Sequence, residues 1–160
     1  MKKEVSIELK MSELIYDIQN KTYLTGRSAD SGENTAHVAN MQANDDEENE
    51  AQILRSITSA VAILRNKLSE FIDTSLLTSD NDSLTTSENL TFSLKMPSNF
   101  NAGVTKTISD AAHQFVVATA IAEWFAITSK GETADYSVAA SSALSVLAEA
   151  LSRRTRPHRK

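Results

Sequence analysis

Residues 104–129, VTKTISDAAHQFVVATAIAEWFAITS, decide the fold. Ile108, Ala112, Phe115, Thr119, Ala122 and Phe125 recur at helical spacing along one side, and Val117, Ile121, Trp124 and Thr128 add a second apolar edge. A helix whose apolar stripe widens this far must be covered on most of its sides. The spacing therefore predicts a central, buried helix around which the rest of the chain packs. His113, Gln114 and Glu123 leave its apolar run too short and too polar to span a bilayer, so no membrane partner is expected.

Moving toward the N-terminus, Pro97 and a loop at 99–103 separate this helix from LTFSLKM at 90–96. There Leu90, Phe92, Leu94 and Met96 alternate with polar residues, the period of a half-buried strand. VSIELKM at 5–11 repeats the pattern with Val5, Ile7, Leu9 and Met11. Asp80, Asn81 and Asp82 mark a turn, so a strand near 75–78 or 83–86 is expected to fold back beside 90–96. The expectation is a hairpin over about 75–96 that joins residues 5–11 in a sheet of two or three strands. Its apolar row, Leu90, Phe92, Leu94 and Met96, is a candidate docking face, because a projecting strand pair can add to a neighbour's sheet.

Three further helices are legible. The first is expected to start at a Ser12 cap, to carry Leu14, Ile15, Ile18 and Leu24, and to stop at Gly26. Residues 27–43 read as a long loop with a short helical turn near 36–41. The next helix is opened by Asn44 and Glu47 at capping-box spacing, with Asp45, Asp46, Glu47 and Glu48 favouring the positive end of its dipole. Ile53, Ile57, Ala60, Val61, Leu64, Leu68, Phe71 and Ile72 then form its core-facing stripe. After Lys130 and Gly131 a last helix, 134–153, carries Tyr136, Ala140, Ala143, Leu144, Leu147 and Leu151. Its other positions are mostly Ala and Ser, which permit close helix contact. Ser137, Ser141 and Ala148 are its candidate subunit interface.

The fold class is therefore mainly α with a small β-sheet. Residues 1–152 read as one four-helix bundle-like domain with a β-hairpin and an N-terminal strand, and 153–160 as a basic C-terminal tail. The hydrophobic share, 41% over 160 residues, is enough for one packed core. With no cysteine, disulfides and thiolate metal sites are excluded. Lys2 and Lys3 lead into Glu4, Glu8 and Lys10 rather than an apolar run, which is not the pattern of a secretory leader.

The net charge of −5 conceals a strong asymmetry. The tail RRTRPHRK holds Arg153, Arg154, Arg156, Arg159 and Lys160 and no acid, while all 21 acidic residues lie before it. An acidic body argues against a general nucleic-acid-binding domain, whereas the short tail suits a phosphate backbone or an acidic protein face. Such a tail also serves simply to complement a helix C-terminus and keep the end solvated.

Nothing points to catalysis. His37, His113 and His158 are isolated, without the spacing that places two metal ligands on one helical face. Gly26, Gly32, Gly103 and Gly131 are scattered, so there is no phosphate-cradling loop and no cofactor is expected. His113 and Glu123 lie on roughly opposite sides of their helix, and Trp124 and Tyr136 read as core or interface aromatics.

DIQNKTYLTGRS (17–28), MQANDDEENE (41–50), LKMPSNFN (94–101) and HQFVVATAIAEWF (113–125) resemble segments of a family of structural proteins from phages and prophages of Bacteroides-type gut bacteria. The order helix, helix, hairpin, helix, helix, basic tail is also similar to that of the small head-to-tail connector, or adaptor, proteins beneath the portal of tailed phages. The N-terminal strand and the long 27–43 loop depart from the simplest connector layout. The resemblance implies a structural virion protein of the neck or tail, assembled in the bacterial cytoplasm. It further implies a homo-oligomeric ring of about 12 copies, built by repeating one heterologous contact. The partners implied are portal and tail or neck proteins and packaged DNA in the channel. A tail-completion or other tail-associated protein, and a helical regulatory or interaction protein, are the alternative readings.

Overall fold

The computed structural model describes residues 1–73 and 89–158. In chain order these form β1 (Lys3–Lys10), α1 (Met11–Ser28), α2 (Thr35–Met41), α3 (Glu47–Leu68), β2 (Asn89–Met96), α4 (Thr105–Thr128) and α5 (Thr133–Leu151), with single 3-10 turns just before α4 and α5. The chain is mainly α with a small two-stranded sheet.

α4 is the axis of the structure. Ile108, Ala112, Phe115, Val116, Ile121 and Phe125 are among its many buried residues, and α1, α3, α5 and β1 all pack against it. α5 lies along α4 by turning Ala140, Ala143, Leu147, Ala150 and Leu151 inward. α3 covers another side with Ile53, Ile57, Ala60, Val61, Leu64 and Leu68. One continuous hydrophobic core joins the helices to the sheet.

β1 and β2 are antiparallel, in a register that sets Ile7 opposite Phe92, Val5 opposite Leu94 and Lys3 opposite Met96. Leu90, Phe92, Leu94 and Met96 all face the core and are almost completely buried. The apolar row of β2 is therefore a packing face of this chain, not a projecting one. The partner of β2 is the N-terminal strand; the strand expected at 75–78 or 83–86 lies outside the described residues. On its other edge β2 is tied to the chain leaving α3. The Asp73 N–H donates to the Ser93 carbonyl at 2.9 Å, and the Lys95 N–H donates to the Phe71 carbonyl at 2.6 Å. The Asp73 and Lys95 side chains close the same edge with a 3.0 Å ion pair.

Several helix boundaries differ from expectation for identifiable reasons. α1 begins at Met11, directly off β1, and Ser12 does not cap it: extended Lys10 occupies the cap position with no side-chain bond. Met11 is fully buried, so burial of that side chain rather than a cap marks the change from strand to helix. Gly26 does not end α1, which continues to Ser28. It is instead buried where α2 crosses, and an added Cβ would lie 3.2 Å from the Val38 carbonyl oxygen. Leu24, expected in the core stripe, points outward and is 51% exposed. The turn expected near 36–41 is the short helix α2. Asp46, not Asn44, stands at the N-cap of α3, and the Asn44 side chain accepts from the Asp46 N–H at 3.3 Å.

Candidate interaction surfaces

The basic tail does not leave the domain freely. The Asn101 N–H donates to the Arg153 carbonyl at 3.2 Å, and the Thr155 N–H donates to the Asn99 carbonyl at 2.8 Å. Together with a bridge between Phe100 and Arg154, these bonds make residues 153–155 a short strap antiparallel to 99–101. Phe100, beneath the strap, is fully buried. Arg153 pairs with Glu149 one turn back along α5, and half-buried Arg154 donates to the Leu151 carbonyl at 2.8 Å. Arg156, Pro157 and His158 follow as an exposed segment. Arg159 and Lys160 lie outside the described residues.

The strap also gathers charge from the other terminus. The Lys3 ammonium donates to the carbonyl of Phe100, the residue that Arg154 faces across the strap, at 2.9 Å. Reading the sequence alone missed this, because Lys3 looks like part of the opening strand. Only the pairing of Lys3 with Met96 and of Phe100 with Arg154 places it there.

The acidic residues collect elsewhere. Glu47, Glu48 and Glu50 form the first turn of α3, preceded by Asp45 and Asp46. That turn lies beside the C-terminal end of α4. Asn44, Asp46, Asn49 and Gln52 share a cleft of about 500 Å³ with Trp124, Ile127 and Thr128. The Trp124 indole N–H donates to the Met41 carbonyl at 2.7 Å, and the Ala43 N–H donates to the Thr22 hydroxyl at 3.1 Å. The strap lies at the opposite end of α4, a helix roughly 36 Å long at about 1.5 Å per residue. The molecule is thus basic at one end and acidic at the other.

α5 presents the third surface. Ser137 and Ser141 are exposed and Ala148 is half-buried. The outward residues between them include Val138 at 66% and Val146 at 46% exposure. Asp135 and Glu149 are the helix's only charged residues. The Ser145 hydroxyl donates to the Ser141 carbonyl, so it is satisfied within the helix itself. The strip is consequently less polar than its composition suggests.

His113 makes a 2.6 Å contact with Asp17 that links α4 to α1, and among the described residues no group of three His, Asp or Glu side chains is placed to hold a metal ion. No described helix is long and apolar enough to cross a membrane. No protein-family model matches the chain, and no curated protein and no solved structure matches it.

Proposed function

We propose that this chain is a non-enzymatic structural subunit that assembles with copies of itself and, following the resemblance of its segments, serves in the neck of a tailed phage as a ring adaptor between portal and tail. The observation that carries the self-assembly is the outer face of α5. A surface helix ordinarily pairs an apolar stripe with a charged opposite face. α5 packs chiefly on α4, yet its solvent side carries charge only near its two ends, at Asp135 and Glu149, and the exposed Ser137, Val138, Ser141, Ser142, Ser145 and Val146 between them are uncharged. Small side chains let a second helix approach closely, and burial of Val138 and Val146 supplies apolar area on contact. The basic end suits a neighbouring phosphate backbone or acidic protein face in such an assembly.

Sedimentation velocity over a range of concentrations tests this reading. The expected result is reversible oligomer formation, with Ser141→Arg or Val138→Asp shifting the chain toward smaller species while its fold is kept. A wild-type chain that remains monomeric throughout would overturn it. The phage station is tested by a reconstruction of the parent particle, where symmetric copies at the neck are expected and isolated single copies would refute it.

A further inference from the structure

α1 and α3 both lean on α4 but leave a groove between them. Ile15, Gln19, Asp45, Glu50 and Ile53 line this cavity of about 280 Å³. Its floor is apolar: Ile53 is buried and Ile15 is half-buried. Its rim is acidic. The Gln19 amide donates to Asp45 Oδ1 at 2.6 Å, which fixes the orientation of that carboxylate. Among the described residues, Asp45 Oδ2 and the Glu50 carboxylate have no hydrogen-bond or ion-pair partner. Two isoleucines with two carboxylates above them match an arginine, whose methylene stem packs on apolar surface while its guanidinium bonds carboxylates at the rim.

At the other end of the molecule the chain presents such an arginine. Thr155 is held by the strap, and Arg156 follows it, exposed and without a partner among the described residues. Pro157 restricts the residue before it to extended conformations, so Arg156 is held out at a defined place with little backbone freedom to lose on binding. It stands toward the end of the molecule opposite the carboxylates of its own chain's groove. The strap lies beyond the N-terminal end of α4, while Asp45 and Glu50 stand where α3 begins, beside the C-terminal end of α4. One residue advances the chain by at most about 3.5 Å.

We propose that the groove between α1 and α3 receives Arg156 of a second copy of this chain, so that the basic end of one subunit docks head-to-tail on the acidic side of the next. The inference deepens the proposed self-assembly by naming a contact separate from α5. The two surfaces it joins are different patches of one chain, which makes the contact heterologous. Repeated, it forms a ring where the rotation closes and a filament where it does not.

The test uses a labelled peptide of residues 153–160 and a chain ending at Thr155, which keeps the strap but lacks Arg156. Saturable, salt-sensitive binding is expected, weakened about tenfold or more by Asp45→Lys with Glu50→Lys in the chain, or by Arg156→Glu in the peptide. The Arg156→Glu peptide should regain affinity for the Asp45→Lys, Glu50→Lys chain, a rescue that a merely unfolded groove would not give. Equal binding to the wild-type and charge-reversed grooves, or no binding at low salt, would overturn the proposal. Ser141→Arg should leave peptide binding intact. A failure confined to the peptide therefore removes the groove contact alone, and a Ser141→Arg chain that sediments as the wild type does removes the α5 contact alone.

Discussion

Trp124 donates its indole N–H to the main-chain carbonyl of Met41 at 2.7 Å, and this bond ties the end of α2 to α4. Trp124→Phe keeps most of the ring volume but leaves a carbonyl beside buried Met41 without its donor. A loss of about 1–3 kcal/mol is expected in denaturant unfolding, the cost of an unmet buried polar group. A change within error would mean that water reaches that carbonyl.

Two residues further on, the Ala43 N–H is held by the Thr22 hydroxyl, which is completely buried. Thr22→Val preserves shape and removes the acceptor, so a similar loss of about 1–3 kcal/mol is expected. Both bonds pin one short stretch of chain between α2 and α3. The double variant should therefore cost less than the sum of the two single ones, as groups acting on one segment do. Strict additivity would show that the two anchors are independent.

Gly26 is a point of close approach between α1 and α2. Replacing an exposed helical glycine by alanine stabilises by about 1 kcal/mol. Here the new Cβ meets the Val38 carbonyl oxygen at 3.2 Å and the Met41 Cβ at 3.4 Å, so the gain should be cancelled. Gly26→Val should then destabilise by about 1–3 kcal/mol, because a branched side chain has to push α2 away. Thermal melting of the pair checks this: a valine variant as stable as wild type would show that α2 yields freely.

The position of the strap predicts that where the tail is cut matters. Ending the chain at Ser152 deletes the Arg153 and Thr155 bonds to 99–101 and uncovers the edge over buried Phe100. The melting temperature should fall by several degrees, since each kcal/mol is worth about 2–4 °C for a domain of this size. Ending it at Thr155 removes Arg156 and the residues after it but keeps the strap, and should leave the melting temperature unchanged. Equal melting of the two truncated chains would deny the strap a structural role.

The helices were legible before folding, because period and length are local properties. The wide stripe of 104–129 specified the central helix, and the stripe from Ile53 to Leu68 specified α3. Alternation in 5–11 and 90–96 marked both strands. The boundaries followed tertiary packing instead. Gly26 looked like a helix stop because glycine favours C-termini, but it lies inside α1 to let α2 approach. Ser12 looked like a cap, but burial of Met11 decided where α1 starts.

Partners were the larger matter left to the tertiary structure. Nothing local in LTFSLKM says that it pairs with the N-terminal strand. A buried face accepts whichever strand brings a matching apolar row, and Val5, Ile7 and Leu9 bring one. The site residues divide in the same way. The charge of the tail and the small residues of α5 were plain in the sequence. The bond of Lys3 to the Phe100 carbonyl, the strap over Phe100 and the groove between Ile15 and Ile53 join residues far apart in the chain. No periodicity encodes such distances; they exist only once the other elements have packed around α4.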